Sequence, residues 1–174
     1  MIFEIEEIPD GGLDFNLLAE KEQFEINQPD CSLSGNVRVN GKLTRIEQDI
    51  FFSGQLQASL QVDCTRCLKP FPLVVKNKIQ VHFIPRAKEQ SSGTEVEVTE
   101  TDIEQEIYKE DRVDLSAPVR DNILLDVPLI RLCNDACKGI CSKCGNDLNT
   151  NQCECQSKGE IDPRFAVLKK LKKS

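Results

Sequence analysis

Six cysteines lie within the 23 residues from Cys133 to Cys155, in the spacing Cys-x3-Cys-x3-Cys-x2-Cys-x8-Cys-x-Cys. A separate pair, Cys64 and Cys67, lies upstream with two residues between them. At such spacing one short loop can present two thiolates to the same zinc ion, at bond lengths of about 2.3 Å. Eight thiols supply the ligands of two four-cysteine sites, so the pattern predicts a fold cross-linked by one or two Zn²⁺ ions.

The spacing also indicates how the eight thiols divide between two sites. The first predicted site comprises Cys141, Cys144, Cys153 and Cys155. Eight residues separate its two pairs, which is enough for a loop that folds back, and Gly145 suits the turn after the first pair. The second predicted site comprises the remaining four, Cys64, Cys67, Cys133 and Cys137. This second site requires a β-hairpin tip to approach the end of a helix. The ninth cysteine, Cys31, is expected to be a buried apolar residue.

Other chemistries of these thiols are weighed against zinc. Iron–sulfur binding is disfavoured because the ferredoxin run Cys-x2-Cys-x2-Cys-x3-Cys-Pro is missing. A thiol–disulfide or zinc redox switch at Cys64 and Cys67 stays open, but a thioredoxin-type pair opens a helix after a strand. Here Pro70 and Pro72 indicate that a strand follows. With His82 the one histidine and no phosphate-binding glycine loop, we expect no catalytic residues, no small-molecule substrate and no enzyme.

The ends and the apolar stretches of the sequence bear on its compartment. Residues 1–7 lack the basic and apolar regions of a signal peptide, and no stretch resembles a transmembrane span. We therefore expect a cytoplasmic protein with no membrane partner. Thiols stay reduced in the cytoplasm, so clustered cysteines there favour metal binding over disulfides.

The net charge of −7 is unevenly distributed along the chain. Residues 1–30 carry nine acids and one base, and residues 88–114 carry ten acids and three bases. Residues 31–87, in contrast, carry eight bases and three acids. Such segregation permits a basic surface that binds a polyanion, although ordinary solvated faces give the same totals. The candidate phosphate contacts to RNA are Arg66, Lys69, Lys138, Lys143, Lys169, Lys170, Lys172 and Lys173.

Hydrophobic periodicity predicts mainly β-structure before the cysteine loop. Apolar residues alternate with polar ones over residues 56–62 and again over residues 71–84, which is typical of strands with one buried face. Asn40-Gly41 between extended stretches predicts a tight hairpin turn. Ser116 as N-cap and Pro118 in the first turn predict a helix near residues 116–127.

The predicted class is α+β, with an antiparallel β-sheet or half-barrel core, a zinc-ribbon-like cysteine loop and a short C-terminal helix. Four segments are expected. They are an acidic N-terminal segment at 1–30, an antiparallel β core with the one helix at 31–130, a cysteine-rich metal-binding loop at 131–158 and a basic helix at 159–174.

Three segments in order resemble the motifs of the bacterial YceD family, the large ribosomal RNA subunit accumulation proteins, which have relatives in plant organelles. Residues 64–68, Cys-Thr-Arg-Cys-Leu, resemble the family's Cys-x-Arg-Cys-Leu signature. Residues 124–128, Leu-Leu-Asp-Val-Pro, and the cysteines of 137–155 look like its C-terminal cysteine motif. Residues 162–171 are similar to its terminal helix, so the resemblance runs from about residue 33 to the end.

The resemblance implies a non-enzymatic factor needed for accumulation of 23S ribosomal RNA during assembly of the large subunit. The implied partners are ribosomal RNA or a large-subunit precursor, and ribosomal proteins are further candidates. Some family members lack much of the cysteine cluster, so zinc is an expectation for this sequence more than for the family. A protein–protein module whose acidic arms, 1–30 and 88–114, bind basic ribosomal proteins stays open as an alternative.

Overall fold

The computed structural model describes residues 1–85 and 104–156, which fall into two compact units. Unit 1 comprises residues 1–63 and 70–129 and carries the β-structure. Unit 2 comprises residues 64–69 and the chain from residue 130 onward, and it contains all eight clustered cysteines. The predicted basic helix at 159–174 lies outside the described residues.

Unit 1 consists of nine described strands, one α-helix and two short 3₁₀ turns. The strands are β1 (Ile2–Glu4), β2 (Leu13–Ala19), β3 (Asn27–Gln28), β4 (Cys31–Leu33), β5 (Val37–Ile46), β6 (Asp49–Asp63), β7 (Pro70–Pro85), β8 (Glu104–Tyr108) and β9 (Arg112–Asp114). The helix α1 is Ser116–Leu125, and the 3₁₀ turns are Ile5–Glu7 and Lys21–Phe24. The described part of the chain is therefore mostly β-sheet with one short helix.

Three long antiparallel strands form the centre of the main sheet. β6 pairs with β7 along residues 50–63, and its other edge pairs first with β5 and then with β4. β2 extends the sheet beyond β5, and β3 pairs with β4. The sequence predicted an antiparallel sheet, but β8 pairs with β7 in parallel. β1 and β9 form a separate two-stranded sheet.

The period-two pattern predicted for β6 and β7 is confirmed, and one face of the sheet is buried. The buried residues of this inner face are Val37, Val39 and Leu43 of β5, Ile50, Phe52, Leu56, Ala58, Leu60 and Val62 of β6, and Val75, Ile79, Val81 and Phe83 of β7. Val119 and Ile123 of α1 and Phe24 join the same core. Full burial of each large side chain stabilises the fold by about 1.5–3 kcal/mol.

The prediction of a hairpin turn at Asn40-Gly41 is wrong. Both residues lie within β5, and Gly41 pairs with Gly54 of β6. A Cβ on Gly41 would lie 2.5 Å from the Ser53 carbonyl oxygen and 2.7 Å from Cε2 of Phe52, so β6 leaves no room for a side chain at this position. The turn lies at residues 47–48 instead, because Ile46 pairs with Asp49 and two residues connect them.

The helix near residues 116–127 is confirmed, although its cap differs from the prediction. Ser116 is the first helical residue, and the N-cap position belongs to Leu115, whose side chain forms no capping hydrogen bond. The carboxylate of Asp114 accepts the hydrogen bond of the Ser116 N–H, at 2.8 Å. Asp114 therefore satisfies a backbone donor of the first turn, which is the task the sequence assigned to Ser116. Within the described ranges, no helix is long and apolar enough to cross a membrane.

Candidate metal centres

The segment that connects β6 to β7 forms a tight turn around two cysteines, which we call knuckle A (residues 64–69). The carbonyl of Cys64 accepts a hydrogen bond from the Leu68 N–H at 2.9 Å, and the Cys64 N–H donates to the carbonyl of Lys69 at 2.9 Å. Leu68 has a φ of 58°, in the left-handed region. The turn brings both sulfurs of the Cys-x2-Cys pair to one side, as a shared metal ion requires.

A second turn, knuckle B (residues 141–146), repeats this hydrogen-bond pattern. The Gly145 N–H donates to the carbonyl of Cys141 at 2.8 Å, and the Cys141 N–H donates to the carbonyl of Asn146 at 2.8 Å. Gly145 has a φ of 73° and so matches Leu68 in backbone conformation as well as position. Unit 2 thus contains two copies of one local structure that have little sequence in common beyond the cysteines.

Knuckle A contributes to a four-sulfur cluster, cluster A, which comprises Cys64, Cys67, Cys133 and Cys137. All four sulfurs lie within 4.8 Å of one another, and three of the four residues are buried. The Sγ atoms of Cys64 and Cys137 are 3.8 Å apart, and those of Cys67 and Cys133 are 3.6 Å apart. A tetrahedral site with zinc–sulfur bonds of about 2.3 Å places its sulfurs about 3.8 Å apart. The cluster could therefore hold a metal ion.

Knuckle B contributes to cluster B, which comprises Cys141, Cys144, Cys153 and Cys155. Its sulfurs also lie within 4.8 Å of one another, so this set too could hold a metal ion. Cys141 is buried, and Cys144 is exposed. The sets of four that spacing predicts are thus the sets that the fold brings together, while ligation of an ion stays a prediction.

The acid–base properties of the clustered thiols fit a cation site. Burial opposes ionisation of Cys64, but backbone N–H groups, foremost that of Cys133, lower its pKa to about 6. The sulfur of Cys67 in turn raises the pKa of Cys133 to about 12. In cluster B, the backbone N–H groups of Cys144 and Lys143 lower the pKa of Cys141 to about 6. Without a cation, one thiolate in a cluster thus suppresses ionisation of its neighbours.

Two more thiols of cluster B behave similarly. The sulfur of Cys144 raises the pKa of Cys155 to about 11, and the sulfur of Cys141 raises the pKa of Cys153. A divalent cation at the centre of each cluster would remove this mutual repulsion, because it offsets the charge of several thiolates at once.

Backbone contacts tie the two knuckles together inside unit 2. The Ile140 N–H donates to the carbonyl of Arg66 at 3.0 Å. Gly139, with a φ of 77°, lies so close to knuckle A that a Cβ would meet the Arg66 carbonyl oxygen at 2.9 Å. Lys69 Nζ lies 2.5 Å from Oδ2 of Asp147, and this ammonium lowers the pKa of the carboxylate to about 2.

Sequence analysis did not identify Asn149 as a residue that supports cluster A. Its side-chain amide donates to the Sγ of Cys137 at 3.5 Å and to Asp147 Oδ1 at 2.7 Å. Its Oδ1 accepts a hydrogen bond from the Lys138 N–H at 2.8 Å. The sequence marks Asn149 as a turn residue, and only the fold shows that the turn aims its amide at a thiol. A donor in this position would orient the sulfur and stabilise its thiolate form.

The described cations among the candidate RNA contacts have different surroundings. Arg66 donates from Nη1 to the carbonyl of Cys137 at 2.9 Å, and Lys69 pairs with Asp147. Both therefore contribute to the structure of unit 2. All four of these described residues, including Lys138 and Lys143, are exposed. The remaining four candidates, Lys169, Lys170, Lys172 and Lys173, lie outside the described residues.

The structure does not provide the setting of a thioredoxin-type redox pair. Cys64 and Cys67 lie in a turn that leads into strand β7, whereas a thioredoxin-type pair lies at the start of a helix. His82 lies in β7, where its ring stacks on Phe51 with centroids 4.4 Å apart and its Nε2 lies 3.2 Å from Oδ2 of Asp49. These contacts make His82 part of the packing of the sheet.

Comparison with known proteins connects this architecture to one family. The family described as "Large ribosomal RNA subunit accumulation protein YceD" matches residues 52–172. The uncharacterized protein YlbN of Bacillus subtilis is 23% identical over 173 residues, which cover 99% of this chain and 95% of that protein. No solved structure matches the chain.

Two further relatives share only part of their length with this chain. An uncharacterized protein of Mycobacterium tuberculosis is 28% identical over 127 residues, 73% of this chain and 58% of that protein. The large ribosomal RNA subunit accumulation protein YCED homolog 1, chloroplastic, of Arabidopsis thaliana is 37% identical over 60 residues, 34% of this chain and 18% of that protein. The family match covers both knuckles and well over half of the chain, and the chain therefore belongs to the YceD family.

Proposed function

We propose that this chain is a non-enzymatic, cytoplasmic factor in biogenesis of the large ribosomal subunit, needed for accumulation of 23S ribosomal RNA. The observation that carries the proposal is the family match over residues 52–172. The names of the chloroplast relatives from Arabidopsis thaliana and Zea mays point to the same process. Its partners would be ribosomal RNA or a large-subunit precursor, with ribosomal proteins as neighbours in that particle.

In this proposal clusters A and B each hold one Zn²⁺ ion with a structural role. Four thiolates close the coordination shell and leave no open position for a water or a substrate, as in zinc-ribbon-like sites. Among the described residues of unit 2 the buried side chains are cysteines, and the large buried side chains belong to unit 1. Each ion would contribute on the order of 10 kcal/mol of apparent binding energy, which is comparable with the net stability of a whole domain.

The RNA contact of unit 2 would be made by its exposed lysines, Lys138 and Lys143, with the four tail lysines from Lys169 to Lys173 as further candidates. Arg66 and Lys69 are exposed as well, and each also contributes to the structure of unit 2, so substitutions there would alter the fold along with any RNA contact. A contact of this kind protects or chaperones RNA without a chemical step, in keeping with closed metal sites. Each phosphate contact makes the affinity fall with salt.

Deletion of the gene, followed by complementation, tests the proposed function. The deletion strain is expected to have a lowered ratio of 23S to 16S ribosomal RNA and fewer large subunits in sucrose gradients. The wild-type gene should restore both, whereas a Cys67→Ser, Cys155→Ser double variant should not. A deletion strain with normal 23S ribosomal RNA and normal large subunits would overturn the proposal.

A second set of variants tests the proposed RNA contact of unit 2. Lys138→Gln with Lys143→Gln should weaken co-sedimentation with large-subunit precursors, and the Lys169, Lys170, Lys172, Lys173→Glu variant should do the same if the tail takes part. The matched control is Lys21→Gln with Lys109→Gln in unit 1, which removes the same charge from two exposed positions. Unchanged association of both lysine variants would remove unit 2 lysines from the proposal.

A further inference from the structure

The solvent-facing side of the main sheet carries two adjacent rows of cations and amides. In the first row, Arg38 of β5 pairs with Gln57 of β6, which pairs with Lys76 of β7. In the second row, two residues along, Asn40 pairs with Gln55, which pairs with Lys78. All six side chains are exposed, and they line a groove of about 360 Å³. Each row presents one or two cations together with amide groups.

A third row continues the cationic character of this face. Lys42 follows Arg38 and Asn40 on β5, is exposed, and pairs with Ser53. None of the four cations Arg38, Lys42, Lys76 and Lys78 forms an ion pair with another described residue. They therefore retain their charge for an external partner.

Acidic residues lie only at the margins of this face in the described sheet. Asp14 is on β2, opposite Lys42, and Asp49 and Asp63 are the two end residues of β6, where Asp49 contacts His82. The two rows between contain three cations, three amides and no acid, in a chain with 29 acids and 22 bases. A face of this composition within an acidic chain is complementary to a polyanion.

We propose that this face of β5, β6 and β7 binds single-stranded RNA, with Arg38, Lys42, Lys76 and Lys78 on phosphates. The choice of RNA among polyanions rests on the proposed function. The grouping of these cations and amides on one face follows from the register of the strands alone. The amides between the cations carry both donors and acceptors, so they can pair with base edges and 2′-hydroxyls that a single strand leaves open. An acidic protein would satisfy the cations and leave no such use for the amides.

The spacing of the cations suits a single strand that runs along the sheet. Side chains two residues apart on one strand are separated by about 6.8 Å, and neighbouring strands by about 4.8 Å. Lys76 and Lys78 thus form one rail and Arg38 and Lys42 another, with the amides of β6 between the rails at a width of about 10 Å. A phosphate backbone can follow either rail while its bases lie over the central strand.

The test measures binding of a fluorescein-labelled single-stranded RNA of about 12 nucleotides to the full-length, zinc-loaded chain by anisotropy, across a salt series. The four phosphate contacts of this face should contribute about −2.8 to the slope of log K against log salt. Lys76→Gln with Lys78→Gln should make the slope less negative by about 1.4 and weaken binding about 25-fold at 0.1 M salt. The control, Lys21→Gln with Lys109→Gln, removes equal charge elsewhere in unit 1 and should leave both unchanged.

Three results would overturn this assignment. They are absence of binding by the wild-type chain, an unchanged slope for the Lys76, Lys78 variant, and displacement of the RNA by polyglutamate as readily as by unlabelled RNA. The last result would identify the face as a site for acidic protein. Each of them leaves the proposed function to be decided by 23S ribosomal RNA in the deletion strain, so the two failures are distinguishable.

Discussion

Leu68 and Gly145 occupy the same position in the two knuckles, one residue after the second cysteine. Each donates its N–H to the carbonyl of the first cysteine, and their φ angles are 58° and 73°. The left-handed conformation costs a residue with a Cβ roughly 1–2 kcal/mol, whereas glycine adopts it freely. Knuckle B thus has the residue that the turn favours, and knuckle A carries a strained leucine in its place.

Gly145→Ala should therefore destabilise the zinc-loaded protein by about 1 kcal/mol. A Cβ at this position would meet nothing within 4 Å, so the loss would come from backbone conformation alone. Urea unfolding of the zinc-loaded protein measures the loss. Gly35→Ala is the control, because its Cβ also meets nothing within 4 Å and its φ is not positive. Equal effects of the two substitutions would contradict the comparison of the knuckles.

Leu68→Gly, in contrast, should leave the free energy of unfolding unchanged or raise it by up to about 1 kcal/mol. The substitution relieves the left-handed strain, and the greater freedom of glycine in the unfolded chain offsets part of that gain. Leu68 is 61% exposed, so little packing is lost. The same urea experiment measures the effect, and a loss above about 1 kcal/mol would show that the leucine side chain supports knuckle A.

Loss of one ligand should release one ion and leave the other. Wild-type protein is expected to bind two zinc ions per chain by elemental analysis, and Cys67→Ser and Cys155→Ser are each expected to bind one. Cys31→Ala is the control, since Cys31 is buried in unit 1 and belongs to neither cluster. Two ions in either serine variant would remove the corresponding cluster as a zinc site.

Asn149→Ala should weaken zinc binding at cluster A about 10-fold or more, because donors that orient a metal ligand have effects of this size. The experiment uses the Cys155→Ser background, in which only cluster A is expected to bind, and competition with a chromophoric chelator. Asn151→Ala is the control, since its backbone N–H contacts the Asp147 carbonyl and the substitution leaves that bond in place. Equal zinc affinities of the two alanine variants would mean that Asn149 supports only the turn and not zinc binding at cluster A.

Much of the sheet could be predicted from sequence because its signals are local. The alternation in β6 and β7 follows directly from one buried and one exposed face, and the dense thiols of residues 133–155 allow few groupings. The half-barrel curvature and the boundaries of the four predicted segments stay predictions.

Features that depend on distant residues could not be predicted in the same way. Asn40-Gly41 has the composition of a hairpin turn, but the backbone of β6 and the ring of Phe52 leave no room for a side chain at Gly41. The true turn at Glu47 and Gln48 lacks a turn signal in its sequence. Lys69 looks like a free cation until the fold places Asp147 next to it. For Gly41 and Lys69, a partner elsewhere in the sequence determines what the residue does.

The thiol pKa values predict that zinc binding releases protons. At pH 7.5, Cys133 with a pKa of about 12 and Cys155 with a pKa of about 11 are protonated, and so are Cys67 and Cys153, whose pKa values are raised. Four thiolates at each ion therefore require at least two protons to leave per site, or four per chain. Calorimetric titration of the reduced protein with zinc, in buffers of different ionisation enthalpy, counts them.

The sign of the pH dependence follows from the same values. Protons compete with zinc for sulfur, so the apparent affinity should fall as the pH falls. Below about pH 6 the decline should steepen, because Cys64 and Cys141, each with a pKa of about 6, then also bind protons in the metal-free protein. The Cys67→Ser, Cys155→Ser double variant is the control and should release few protons. Zinc binding at pH 7.5 without proton release would mean that the thiols are not the ligands.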